Sequence, residues 1–530
     1  MAAANHRKSA PAVDAVVVGG GHNGLVAAAY LARAGLRVRL LERLEQVGGA
    51  TISARPFDGV DVRLSRYSYL VSLLPPRIIR DLGVELRVAR RPYASYTPDP
   101  TAAGSSGLLI GRPGGFAEIG AAADERGFAD FYRRCRLVTE RLWPTLTEPL
   151  LSRKAARALA LDDGQPEATA AWRAIIEEPI GHAIGAAVRN DLVRGVIATD
   201  ALIGTFAGLE AGLEEDALRQ NICFLYHVLG GGTGEWNVPV GGMGALSAGL
   251  AAAATRHGAE ITTGADVYAI DPAGGVSYRD DGNEHQIQTQ FVLAGVPPTV
   301  LAGLLGEPTP RHEQGAQVKV NMVLRRLPAL RDKNITPEQA FAGTFHANET
   351  WTQLAAAHAR AQAGVLPDPL PCEAYCHSLT DPSILSPRLR DSGAHTMTVF
   401  SLLTPHSLDA SREQLTESVL ASLNSVLAEP IQDTLMTDAQ GRPCVETTTT
   451  ADLERSLGMP DGNIFHGGLA WPFADDAAPM DTPAQRWGVA TAHARVMLCG
   501  SGARRGGAVS GIGGHNAAMA VLESLANRKG

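Results

Sequence analysis

Three glycines, an asparagine and an acid carry the clearest chemical pattern in the chain. Gly19, Gly21 and Gly24 follow an apolar run, Val13-Asp14-Ala15-Val16-Val17-Val18, and precede an alanine- and leucine-rich stretch that ends at Gly35. In this arrangement Gly19 permits a tight turn, Gly21 lets a diphosphate approach the backbone, and Gly24 lets a helix pack closely on the strand. The helix start, which contains Asn23, offers free N–H groups and the positive end of a dipole to phosphates. Glu42 closes the next apolar strand, Val38-Arg39-Leu40-Leu41. It follows Gly24 by about 20 residues, the spacing of an acid that bonds a ribose diol. Strand, turn, helix, strand and acid together read as a dinucleotide-binding unit.

More glycines extend the pattern. Gly48 and Gly49 predict a second close backbone approach, which suits a bulky FAD better than NAD alone. Gly230 to Gly234 and then Gly241-Gly242-Met243-Gly244 open a segment read as a helix over Ala245 to His257. At the far end, Val496 to Cys499 reads as a strand before Gly500-Ser501-Gly502. Gly511, Gly514 and Asn516 then open a closing helix that runs to about Asn527. A glycine-rich helix start so late in the chain suits a cofactor with a second end to hold, here the flavin ribityl chain and ring. Gly241, Gly242, Met243, Gly500, Ser501, Gly511, Gly514 and Asn516 are therefore expected cofactor contacts.

The elements around these motifs predict an α/β protein whose Rossmann-type FAD-binding domain is discontinuous, with an inserted α+β substrate domain. The expected FAD-binding segments are 13–60, 232–300 and 490–530; the expected substrate-binding segments are 61–231 and 301–489. Phe57-Asp58-Gly59-Val60 reads as a hairpin turn. Asp124 to Leu150, Ala155 to Leu161 and Asp191 to Leu202 carry helical spacing, so the first insertion reads as largely helical. Gly274 to Leu293 alternates and turns at Asp280-Asp281-Gly282-Asn283, as a β-meander does. Gln317 to Leu324 is a strand, a helix follows Ser411, and Pro479 to Trp487 reads as a loop.

At 530 residues the chain is long enough for two or three domains with substantial cores. Its net charge of −8 gives a nucleic-acid partner no electrostatic support. No stretch of about 18 apolar residues predicts a transmembrane helix, and Met1 to Ala12 reads as a loose tail with no secretory core. The expected location is the cytoplasm, with peripheral membrane contact left open. The six cysteines form no Cys-x-x-Cys pair and read as reduced, buried thiols. The first, Cys135, lies too far along the chain for the reactive pair of a flavin disulfide reductase. No metal site is expected.

With three separated glycine motifs in agreement, the chain resembles the phytoene-dehydrogenase-like flavin oxidoreductases of the wider amine-oxidase and phytoene-desaturase superfamily. The resemblance rests on Gly19 to Gly49, on Val238-Pro239-Val240-Gly241-Gly242-Met243-Gly244, on Cys499 onward, and on Ile464-Phe465-His466-Gly467. It implies FAD as cofactor and a long apolar tunnel meeting the flavin. It implies Val267 beside the adenine and Arg43 beside the ADP ribose. Lys319 resembles the strand lysine that, in amine-oxidase relatives, holds a water near flavin N5 and favours the hydride-bearing ring; otherwise it is a solvent-facing strand residue. His466 is a candidate acid or base with a pKa near neutrality, or a structural histidine. Carotenoid desaturases usually carry a His/Gln/Thr-Pro pair where this chain has Arg504-Arg505, two guanidinium groups expected close to the flavin. No aromatic pair like that of amine oxidases is visible near Gly507 to Gly514.

The resemblance therefore implies hydride transfer at carbon–carbon bonds of an apolar, polyene-like small molecule, by desaturation, saturation, isomerisation or reductive cyclisation. NAD(P)H is the candidate electron donor if the flavin works as a reductant. An amine or amino-acid oxidase and a non-catalytic FAD-binding protein are the alternatives. Oligomeric state is open.

Overall fold

The computed structural model describes residues 13–161, 164, 166–212 and 217–528; the tail read at Met1 to Ala12 lies outside the described residues. The strand Ala15–Val18 buries all four side chains, as a strand covered on both faces must. It is the centre of a five-stranded parallel sheet ordered Val496–Leu498, Phe291–Ala294, Ala15–Val18, Val38–Leu41, Glu260–Thr262. Alternate side chains then meet different partners. Ala15 and Val17 pack under the helices His22–Arg33 and Met243–Arg256 together with Ala517 to Val521 of the last helix, Ile512–Ala526. Val16 and Val18 face an antiparallel meander, Asp266–Asp271, Gly275–Asp280 and Asn283–Gln288. The expected Rossmann-type sheet and meander are both present.

A second, seven-stranded mixed sheet is ordered Val445–Thr448, Lys319–Leu324, His395–Ser401, Cys372–Tyr375, Thr344–Ala347, Ser95–Pro98, Gly107–Ile110. A helical layer around Phe131, Trp172 and Phe224 packs beside it. The last two strands fall in a stretch read as largely helical. Ser95–Pro98 is short and ends on proline, and it is held by parallel pairing to Thr344–Ala347, a partner far away in sequence. Pro479 to Trp487, read as a loop, contains a helical turn at Pro483–Arg486, because Thr482 accepts from Gln485 N as its cap. Among the described residues no helix is long and apolar enough to cross a membrane.

Candidate active site

A cavity of about 800 Å³ is walled by residues of both sheets and of the helical layer. At one end it meets the first glycine turn. Gly19 has φ near +98°, a backbone that side chains rarely adopt, and a Cβ on Gly24 would lie 2.1 Å from the Gly19 carbonyl oxygen. A Cβ on Gly21, by contrast, would meet nothing within 4 Å. No side chain caps the helix start at Gly21, so its N–H groups face open space. Asn23 donates to Gly506 O at 3.3 Å and to Ser501 Oγ at 3.5 Å, but its buried Oδ1 has no donor. The carboxylate of Glu42 accepts from Gly20 N at 2.7 Å and from Leu44 N at 2.8 Å. Each of its oxygens keeps lone-pair capacity for a ribose hydroxyl. Open space, free N–H groups, an orphaned acceptor and a fixed acid fit a dinucleotide such as FAD.

Of the sequence-predicted residues, Gly19, Gly21, Asn23, Gly24, Glu42, Arg43, Gly49, Val267, Gly500, Ser501, Lys319 and His466 all line this one cavity. The other six do not, and each has a different task. Gly241 N donates to Asp381 Oδ2 at 2.6 Å, Met243 N to Ser65 Oγ at 3.1 Å, and Gly244 N to Ser53 Oγ at 3.0 Å. The protein thus caps this helix start itself. A Cβ on Gly242 would lie 2.7 Å from Ser53 Oγ, and Met243 is fully buried in the core of the parallel sheet. Gly511 takes φ near +70° beneath Val26 and Leu74, and a Cβ on Gly514 would lie 1.9 Å from Asn23 O. Asn516 donates to Leu146 O at 3.1 Å. These residues let the first and last helices touch.

The two arginines expected close to the flavin are turned elsewhere. Arg505 is almost fully buried and donates to the carbonyls of Thr145, Glu148 and Trp487, and Arg504 donates to those of Trp471 and Phe473. Neither lines the large cavity. They tie the turn after Gly502 to the segments around residues 145–148, 471–473 and 487.

Lys319 is not a solvent-facing strand residue. It is buried, and its Nζ donates to Ser65 O at 2.6 Å and Arg66 O at 3.0 Å while lying 5.0 Å from the Tyr69 ring centroid. Desolvation pushes its pKa down to about 7, against a smaller upward pull from Glu446. His466 leans to the structural alternative. It has φ near +65°, its buried Nδ1 lacks a partner, and burial pushes it down to about 3. Burial thus favours the neutral imidazole at physiological pH. His22 behaves similarly, at about 4, with Nε2 against Ala508 O at 3.2 Å.

Beyond Lys319 the wall is mostly apolar, with Leu70, Leu73, Ile110, Phe128, Val196 and Phe400, but it also carries tyrosines and ionisable groups. Tyr69 and Tyr375 lie with ring centroids 4.8 Å apart, and Tyr375 donates its hydroxyl proton to Glu373 Oε2. Burial, and then the nearby Glu349, raise Glu373 to about 8, so it is protonated at neutral pH. Behind it, His346, Glu349 and Glu373 bring one nitrogen and two carboxylate oxygens within 4.8 Å of one another, a set able to share a proton or hold a divalent ion. Asp200 accepts from Tyr132 Oη at 3.1 Å and lies 3.5 Å from His227 Nε2. Arg91 completes this wall. None of these was singled out from sequence; the available signal was an ionisable residue within an apolar strand, as in Cys372-Glu373-Ala374-Tyr375.

The six cysteines are free and buried, with Cys135 and Cys223 pushed up to about 12 by desolvation. They are poor nucleophiles in that state.

Known proteins extend this picture. Residues 17–77 match a family model described as an NAD(P)-binding Rossmann-like domain. An uncharacterized protein of Mycobacterium tuberculosis, Rv0897c, is 68% identical over 97% of this chain and 98% of its own length. A rat protein named pyridine nucleotide-disulfide oxidoreductase domain-containing protein 2 is 29% identical over 98% of this chain and 94% of its own. Among solved structures, wild-type putrescine oxidase bound to putrescine superposes with a TM-score of 0.56 at 15% identity, covering 97% of this chain and 99% of its own. At that identity the likeness is one of fold.

Proposed function

This chain belongs to the family of the mycobacterial protein Rv0897c, and from that footing we propose that it is an FAD-dependent oxidoreductase acting on a small polar molecule held beside Lys319. One observation carries the reading: a single cavity joins Gly21, Glu42, Val267 and Gly500 to Lys319 and to a wall of tyrosines and ionisable groups. A cavity spanning the first glycine turn and the last one suits FAD better than a nicotinamide dinucleotide confined to the first. NAD(P)H as electron donor is left as a secondary proposal, since the matched domain description would suit it as well.

FAD would be held by the helix start at Gly21, by Glu42 at the ribose, by Val267 and Arg43 at the adenosine end, and by Asn23, Gly500 and Ser501 further in. When bound it supplies two-electron hydride acceptance or donation. The remaining work belongs to the chain's own groups. Lys319, desolvated and half-ionised near pH 7, puts a switchable positive charge in the wall. Glu373 takes up a proton from a substrate above pH 8 and holds one below it. Tyr69 and Tyr375 give the substrate a flat apolar side.

The ionisable part of this wall favours a polar substrate over a polyene, because a hydrocarbon laid across it would leave the Arg91 guanidinium desolvated and unpaired. Oxidation of an amine or amino acid becomes the favoured chemistry. The fold shared with putrescine oxidase is compatible with it, and the Tyr69–Tyr375 pair supplies aromatic surface absent near Gly507 to Gly514. The test is to mix flavin-loaded protein anaerobically with amines, amino acids and polyenes, following bleaching of the flavin and product mass. Bleaching by amines or amino acids with loss of two hydrogens is expected. Bleaching by polyenes alone would overturn the polar-substrate reading.

A further inference from the structure

Arg91 is a cation held in the protein without a counter-ion. It lies just before the strand Ser95–Pro98 and lines the cavity. Its Nη1 donates to Thr344 Oγ1 at 2.8 Å and its Nε to Trp236 O at 3.3 Å. Its guanidinium carbon lies 6.0 Å from the Tyr375 ring centroid. Among the described residues no carboxylate comes within ion-pairing distance of it. The two nearby acids are otherwise engaged: Asp200 with Tyr132 and His227, and Glu373 with the Tyr375 hydroxyl.

A guanidinium has five N–H donors, and Thr344 and Trp236 occupy two of them. The rest have no protein acceptor among the described residues. Arg91 is half-buried, and taking a positive charge out of water without a partner is costly. The fork of a guanidinium matches a carboxylate with two parallel bonds. The surroundings narrow the ligand further. Trp236, Tyr69 and Tyr375 form aromatic walls on the same cavity, which suit an organic body attached to the anion.

We propose that Arg91 binds the carboxylate of the substrate, so that the natural substrate is a small organic acid, an amino acid included, placed with its body against Tyr69 and Tyr375 toward Lys319. This rests on the flavin reading for the chemistry, but the anion site itself does not need the flavin.

The test uses a panel of C3–C9 carboxylates, each compared with its primary amide, which keeps the shape and removes the charge. Binding is followed by the flavin difference spectrum in holoprotein and by thermal shift in flavin-stripped protein. For the best binder we expect the carboxylate to bind at least about tenfold more tightly than its amide, roughly one charge-assisted bond. Arg91→Met should abolish that preference, and Arg91→Lys should keep part of it, because a lysine retains the charge but not the fork. FAD content should be the same in all three proteins. If amides bind wild type as tightly as acids, or if no carboxylate binds, the proposal fails, whether or not Arg91→Met folds. A retained acid preference in folded Arg91→Met also overturns it. A colourless protein that still prefers acids by thermal shift would sink the flavin reading and leave Arg91 standing.

Discussion

The helix starts at Gly21 and at Gly242 look alike in sequence and do opposite things. Both follow a strand, both are glycine-rich, and both begin long helices. At Gly21 the protein supplies no acceptor and leaves space where a Cβ would go. At Gly242 it supplies Asp381, Ser53 and Ser65, which take the N–H groups a phosphate would otherwise need. The start at Gly511 is a third case, in which the glycines serve contact with the first helix. A glycine-rich helix start reports a close approach; what approaches is decided by the neighbours.

Substitutions separate the three cases. The largest effect is expected at Gly514→Ala, whose Cβ would meet Asn23 O at 1.9 Å between the first and last helices. A stability loss of about 2–3 kcal/mol by denaturant unfolding is expected, as for overpacking against backbone. Gly21→Ala should do the reverse. Its methyl meets no protein atom, so flavin-free stability should change by less than about 0.5 kcal/mol, while FAD affinity should fall about tenfold or more, measured by titration. Equal losses of stability in the two variants would break the comparison. Ser65→Ala removes the cap on Met243 N and should cost about 1 kcal/mol, with FAD content unchanged. A parallel loss of FAD would return that helix start to the cofactor site.

For Lys319→Met the slope with pH is the signature. In the folded chain Lys319 releases its proton near pH 7, whereas in the unfolded chain it does so in the ordinary lysine range. Between those values the unfolded state binds more protons, so its contribution to stability rises with pH from about 7 and is flat below. Lys319→Met should remove that rise, and it should remove an inflection near pH 7 from the rate of flavin reduction. An unchanged pH profile of reduction would take Lys319 out of the mechanism.

The dinucleotide unit was legible because its parts are local. The turn at Gly19, the helix spacing behind it and the acid at Glu42 fall within thirty residues, and each follows from backbone conformation and periodicity. Lys319 could be placed on a strand by alternation, but its burial depends on Ser65, Arg66 and Tyr69, which arrive from another part of the chain. The ionisable part of the cavity wall was not legible at all. Arg91, Asp200 and Glu373 come from three separated segments, and the side of the strand that faces the cavity is set by long-range pairing such as Ser95 with Thr344. Hence the resemblance implied an apolar tunnel, while the ionisable side chains among its mostly apolar lining could not be foreseen. His466 shows the same limit, since its motif was visible but its desolvation was not.

The central claim is that the open helix start at Gly21 holds FAD. The most direct measurement is to release the cofactor from purified protein by denaturation and identify it by mass. Stoichiometric FAD in the wild type, with strong loss in a folded Gly21→Ala protein, is the predicted result. A colourless wild type that takes up no added FAD, or a Gly21→Ala protein that binds it as tightly, would contradict the claim.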